Sequence, residues 1–421
     1  MVNTAGTNGF DNGTKPPDDE LREILHGFAR ARMPMEQRLA ALSEQHNYHI
    51  KRAKLSKLNK EFDVPTVKKP PPEPLAISLV AEHISQDTNR RHGPDRVQKK
   101  IGRKHNIWLP RDAVRKIQHD LDPEGAQARF PGGGRKGKVR GQLTALGIMQ
   151  EVHCDGHEKL GAIALRLGGV GFGIYGFRDH TGKILHVDAV PNDRCQITVA
   201  HCYLDFIEAT GEMPVQLTFD GGTETGYMAA AQCEFRRRFL ATVSEIERPS
   251  TRSIKSTDNI PVESMWKYWL DDEGANIKSA LLEAHTNGLF NPSSQLHIDL
   301  FQWLWVRIVR HHLDEFKNYF NATPRRSQKE KLLPTAAPDA VFRNPELHNL
   351  RRCGTGIPKE DVDEFRARLP LSREHVMRFV ADDFDVYAQY VYAEIGSPAF
   401  EHSTGWDTYG RMMAYIQNEY T

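Results

Sequence analysis

Leu21, Ile24, Leu25 and Phe28 recur at the spacing of one helix face, and Leu39 with Leu42, then Ile50, Leu55, Leu58 and Phe62, continue the pattern. Residues 21–66 therefore predict a helical region: one helix over Met35 to Gln45, a turn at His46, Asn47 and Tyr48, and another over His49 to Phe62, in helix-turn-helix outline. Residues 1–20, dominated by Asn, Gly, Thr, Pro and Asp, predict a disordered N-terminus. Lys68, Lys69 and four prolines make 67–74 a stiff linker that no helix can cross. Over 75–130 the helical spacing resumes as Leu75 to Asp87, Pro94 to Lys104 and Pro110 to Leu121, with Pro94 and Pro110 where a first helical turn tolerates them. These outline a second helix-turn-helix, followed by a basic, Gly-rich linker at 131–147.

At Ile148 the pattern changes to strands. Ile148 to Asp155, Phe172 to Arg178 and Lys183 to Val190 are Val-, Ile- and aromatic-rich runs that predict an antiparallel meander. An amphipathic helix (Arg194 to Thr210), a buried strand (Pro214 to Asp220) and another helix (Tyr227 to Phe239) follow. That order is the order of a ribonuclease H-like α/β domain, a mixed sheet flanked by helices, placed at 148–290. Gly168 to Gly176 lacks the strand-then-helix context of a phosphate loop and reads as a turn. Within 291–345, Leu300, Phe301, Leu304, Ile308, Leu313, Phe316 and Phe320 predict a long helix, Gln295 to Asn321, with Trp303 and Trp305 packing on the sheet or serving an interface. Ser327 to Lys331 adds a basic exit. Residues 346–421 predict a helical extension to which the sequence assigns no role.

The 421 residues are 39% hydrophobic and 26% charged, which suits several domains of a soluble globular protein and leaves too little apolar material for membrane spans. No apolar leader is visible, so an intracellular location is expected. Cys154, Cys195, Cys202, Cys233 and Cys353 are scattered without a C-x-x-C pair, against a disulfide framework. The net charge of +1 hides an uneven distribution: Asn89 to Arg140 holds 15 Lys or Arg against 5 Asp or Glu. That stretch suits a polyanion. Lys51, Arg52, Lys54 and Lys57 occupy the outer positions of one helix, and Lys99, Lys100, Arg103 and Lys104 lead into Arg111, Arg115 and Lys116. Each set reads either as a DNA-facing surface or as a solvated helix face. Arg135, Lys136, Lys138 and Arg140, in FPGGGRKGKVR, read as phosphate contacts, a nuclear import signal or a solvated linker.

Three acids stand where chemistry could be done: Asp155 closing the first strand, Asp220 closing the fourth, and Glu263 inside a helix. Converging carboxylates can hold two hard divalent cations for in-line displacement at phosphorus, one activating water or a 3'-hydroxyl and one stabilising the leaving oxygen. With 55 acids in the chain, many triples would satisfy so loose a spacing. His153, Cys154 and His157 flank Asp155, but no further pair completes four ligands, so no zinc is expected. His157 reads as a phosphate contact or an orienter of Asp155; Lys159 and Arg178 read as phosphate contacts or solvated strand ends.

The surrounding segments narrow the choice. CDGHEKLGA, IYGFRD, VPN, LTFDGGTETG, KSTDNIPVESMW and LFQWLWVRIVRHHLDEFKNYFN together resemble the integrase core family of DDE transposases and retroviral-type integrases, most closely the fungal integrase-core proteins of transposon origin. The likeness runs from Leu21 through Phe342. It implies Asp155, Asp220 and Glu263 as a metal-binding catalytic triad for two Mg2+ ions (Mn2+ as substitute). It places Gly222 and Glu224 in the turn behind the second acid, and Asn259 on the approach to the catalytic helix, four residues before Glu263 and on the same helical face. Trp266 would pack the helix. The resemblance further implies a nuclear DNA integrase or transposase, with double-stranded DNA as partner (transposon ends and target), self-association and no membrane. Three positions depart from the family pattern: Asp258 where relatives carry His, Gly221 where they carry a basic residue, and Ala322, Thr323 and Pro324 where they carry His-Arg. The N-terminal zinc module is also missing. A domesticated DNA-binding protein that keeps the fold without full activity is the alternative.

Overall fold

The computed structural model describes residues 12–31, 33–65, 70–129, 146–157, 166–167, 170–325 and 333–419. Lys68, Lys69, Arg135, Lys136, Lys138, Arg140, Lys159, Gly168 and the basic exit at Ser327 to Lys331 lie outside them. The chain divides into two compact units, residues 1–134 and 135–421.

The N-terminal unit is helical. α1 (Asp18–Arg30) opens on three acids, which its positive N-terminal end favours. With α2 (Met35–His46) and α3 (Arg52–Glu61) it buries Leu21, Leu25, Leu42, Leu55 and Leu58 in one core. α4 (Glu73–Gln86), α5 (Pro94–His105) and α6 (Arg111–Leu121) repeat the plan around Val80, Val97, Ile101 and Val114, and the short α7 (Pro123–Arg129) follows. The middle helix of each group ends on an asparagine in the left-handed region, Asn47 (φ 45°) and Asn106 (φ 54°), which turns the chain back. Pro94 opens α5 as expected, whereas Pro110 is the residue before α6 and not part of its first turn. Part of the segment expected to be disordered is placed: Gly13 bridges to Tyr48, and the Thr14 N–H donates to the Asn47 carbonyl (2.9 Å).

The C-terminal unit is built on a five-stranded mixed sheet. Its strands are β1 (Glu151–Gly156), β2 (Gly173–Asp179), β3 (Ile184–Val190), β4 (Gln216–Asp220) and β5 (Thr251–Ile254), in spatial order β3-β2-β1-β4-β5. The first three form the expected antiparallel meander; β1–β4 and β4–β5 run parallel. Two expectations are corrected. The first strand does not begin at Ile148, because Met149 takes a left-handed φ of 58° and sends Gly147–Ile148 to pair with Arg351–Arg352 instead. The sheet also has a fifth strand, β5, that the apolar pattern does not announce: this four-residue edge strand reads Thr-Arg-Ser-Ile and is half exposed.

One sheet face receives α8 (Gln196–Thr210) and α9 (Gly226–Phe239) through Val152, Cys154, Tyr175, Phe177, Leu217 and Phe219. The other receives α10 (Ile260–Trp269), reached by Ile174; α11 (Ala275–Asn287) then leads to the 27-residue α12 (Gln295–Asn321), which covers the same face. Trp303 and Trp305 are fully buried, so they serve packing and not an exposed interface. The C-terminal extension is integral to this unit. Its helix Lys359–Ala367 lies on α8, where Arg366 pairs with Asp205 (2.8 Å), and Asp382–Glu394 and Gly405–Glu419 pack on α12. Among the described residues no helix is long and apolar enough to cross a membrane.

Candidate functional site

The pleat sorts β1 into two sets. Val152 and Cys154 enter the α8–α9 core, so Glu151, His153 and Asp155 share the opposite face. Burial raises the Cys154 thiol far above its ordinary range, and its sulfur accepts from Tyr175 Oη (3.8 Å). β1 and β4 are parallel with His153 opposite Thr218. The pairing runs from Glu151–Gln216 to His153–Thr218, and Asp155 and Asp220 each lie two residues beyond its last pair. Both residues are half-exposed, Asp220 as the last residue of β4 and Asp155 as the last but one of β1.

α10 carries Glu263, although Asp155, Asp220 and Glu263 do not form a group whose ligand atoms all lie within 4.8 Å of one another. The helix packs on β1 and β2, and the Trp266 indole N–H donates to Asp155 Oδ2 (3.2 Å) while its ring stacks on His157 at 4.6 Å between centroids. Glu263 lies three residues earlier, on the same helix face, and accepts from Ser256 Oγ (3.1 Å). Gly176, paired with Asp155 across β1–β2, makes room for this: a Cβ there would lie 2.8 Å from the Trp266 ring. Trp266 is thus more than a packing residue. Its role is invisible in sequence because a Trp at that spacing looks the same whether or not its N–H meets a carboxylate.

Asn259 does not share the helical face of Glu263. It precedes the first residue of α10 and turns inward, 1% exposed, with Nδ2 donating to the Cys154 carbonyl (3.2 Å) and Oδ1 2.8 Å from His153 Nδ1. Arg178 is neither a phosphate contact nor a solvated strand end. It is buried, donates from Nε to the Gly182 carbonyl (3.2 Å) and from a terminal nitrogen to Ser264 Oγ (2.6 Å) and the Pro261 carbonyl, and lies over the Phe320 ring at 5.0 Å. Both residues fasten the N-terminal turn of α10 to the sheet. Gly222 and Glu224 form a tight turn behind Asp220, where a Cβ on Gly222 would come 2.1 Å from the Glu224 carboxylate. His157 is buried against Trp266. Asp258 and Gly221 are exposed.

Two further residues join His153 on this face. Glu151, His153 and His180 each offer a ligand atom, all within 4.8 Å of one another, a group that could hold a metal ion. Burial pushes His153 down to about 4, against the raising pull of Glu151. In sequence, His153 invites comparison only with its neighbours Cys154 and His157. Cys154 points to the other face, and the partners come from two residues back and from the turn after β2.

In the N-terminal unit, Lys51, Arg52, Lys54 and Lys57 are exposed along α3, with Arg52 3.9 Å from Glu36. Arg111, Arg115 and Lys116 are exposed on α6, Arg115 paired with Asp112 (3.1 Å). On α5, Lys99 is folded down onto Asp95 (2.6 Å), Lys100 and Arg103 are half-buried, and Lys104 meets Glu82 (3.3 Å). The basic surface therefore lies more on α6 than on α5. Comparison with protein-family models and with curated proteins finds no match to this chain.

Proposed function

We propose that the chain is a transposon-derived DDE integrase or transposase, with Asp155, Asp220 and Glu263 as the acids that cut DNA and join it to a target. One observation carries the reading: the helix that bears Glu263 is bonded to the end of β1 that bears Asp155, through Trp266 to Asp155 itself and through Asn259 to the Cys154 carbonyl, while Asp220 closes the neighbouring parallel strand. The strand order β3-β2-β1-β4-β5, antiparallel then parallel, supports a ribonuclease H-like core. The donor set is all carboxylate oxygen, since Cys154 faces away, and this fits hard divalent cations such as Mg2+ or Mn2+. When bound, such ions lower the pKa of water or a 3'-hydroxyl and neutralise charge on the leaving oxygen.

The protein's own part is positional. Trp266 holds one Asp155 oxygen, Ser256 holds Glu263, and Arg178 with Asn259 fixes the helix that carries it. The exposed cations of α3 and α6 would grip DNA phosphates, and a nuclear location and self-association go with this reading. Purified protein is expected to nick plasmid DNA and transfer strands in Mg2+ or Mn2+, and Glu263→Gln to lose that activity while keeping DNA binding. Equal activity in both proteins would refute the assigned site. Exposed Asp258, an added negative charge beside Asn259, favours a second reading as a domesticated DNA-binding protein. Binding without cleavage in either protein, on DNA carrying the matching transposon ends, would select it.

A further inference from the structure

We propose that Glu151, His153 and His180 form a binding site for one zinc-class divalent ion, separate from the acids and set beneath them on the same sheet face. The distances support this. His153 Nε2 lies 3.0 Å from His180 Nδ1 and 3.5 Å from Glu151 Oε1, and His180 Nδ1 lies 3.7 Å from Glu151 Oε2. A tetrahedral ion with bonds of about 2.0–2.1 Å has ligand-to-ligand edges of about 3.3 Å, in the middle of that range. Two imidazoles and one carboxylate select zinc or its late first-row neighbours over Mg2+ or Ca2+, which prefer all-oxygen cages.

The surrounding hydrogen bonds prepare the ligands. Asn259 Nδ2 donates to the Cys154 carbonyl, which fixes the amide so that its oxygen faces His153 Nδ1. His153 must therefore carry its proton on Nδ1, donate it to Asn259, and present the Nε2 lone pair to the group. Thr218 Oγ1 donates to Glu151 Oε1 (2.6 Å) and orients that carboxylate from the neighbouring strand. His153 Nε2 then accepts from His180 Nδ1–H; for a divalent ion to bind, neutral His180 would move that ring proton to Nε2, so that His153 Nε2 and His180 Nδ1 both offer lone pairs. Arg252, 4.0 Å from Glu151 Oε1 and largely exposed, is the cation that would have to move aside.

The bound ion would join three pieces: β1 two residues before Asp155, the turn after β2, and, through Asn259, the start of α10. It is a structural brace, and it holds whether or not the acids act on DNA. The full-length protein, dialysed against excess zinc chloride and then against buffer with a weak chelator, is expected to retain about one zinc by elemental analysis and to gain several degrees in Tm. Asp155→Asn should retain the same amount. His180→Gln, in a turn, should lose it and show no zinc-dependent gain in Tm, while its metal-free Tm stays near wild type. Glu151→Gln serves as a second variant if His180→Gln fails to fold. No zinc in the wild type overturns the proposal, as does zinc that survives His180→Gln and Glu151→Gln or disappears with Asp155→Asn.

Discussion

An indole N–H can only donate, so Trp266 acts on Asp155 by holding one carboxylate oxygen toward α10. Trp266→Phe keeps an aromatic ring against His157 and removes the donor. Metal-dependent nicking is expected to fall about 10- to 100-fold, the usual cost of removing an outer partner of a metal ligand, with Tm nearly unchanged. A fall in Tm without a fall in activity per folded molecule would reduce Trp266 to packing. Gly176→Ala pushes the same indole from behind and is expected to cost about 1–3 kcal/mol of stability as well as activity, measured by urea unfolding beside nicking. The proposed acids are legible in sequence only through the resemblance carried by the segments around them, because 55 acids leave many triples of such spacing. Trp266, Gly176 and the inward turn of Asn259 are not, since each role depends on an approach between segments far apart in the chain.

Helices and strands with strong apolar spacing are readable nearly to the residue: α12 spans Gln295–Asn321 as expected, because its buried face repeats along most of its length. β5 escapes such a reading because an edge strand can be polar, and the start of β1 is misplaced by it because a left-handed Met149 carries no sequence mark. What joins these elements is also hidden. Arg178 reads as a strand-end cation, yet it is the buried tie between β2 and the first turn of α10. Arg178→Met removes a charge together with its burial cost but leaves the Pro261 and Gly182 carbonyls without that donor. A net loss of about 2 kcal/mol is expected, read as a lower urea midpoint. In the helical half, Arg111→Glu, Arg115→Glu and Lys116→Glu together should flatten the salt dependence of DNA affinity by about 0.9 in log–log slope for each phosphate no longer neutralised. An unchanged slope would remove α6 from the DNA-binding surface.

The two faces of the C-terminal unit's sheet are closed by segments distant in sequence, and the histidines trapped there are expected to make the unit sensitive to acid. His186, on β3, is half-buried and pushed below its ordinary value by desolvation, with Asp188 and Asp205 opposing and Lys317 and Arg373 assisting. His201, on α8, is pushed down by burial too, although its Nε2 meets the Leu371 carbonyl at 3.0 Å; Arg366 and Arg373 assist and Asp205 opposes. That hydrogen bond lies between α8 and the extension, whose role is hidden in sequence because its apolar positions have no visible partner until the sheet is assembled. A histidine whose folded pKa is depressed binds its proton more readily in the unfolded chain. The stability tied to neutrality is therefore complete above the unfolded value of about 6.5 and is lost as pH falls below it, at up to about 1.4 kcal/mol per pH unit for each group. Urea midpoints should drop between about pH 7 and about pH 5, and replacing His186 and His201 together by Gln should make that drop shallower. An equally steep drop in the double variant would assign the acid sensitivity to other histidines and leave the seam between α8 and the extension indifferent to pH.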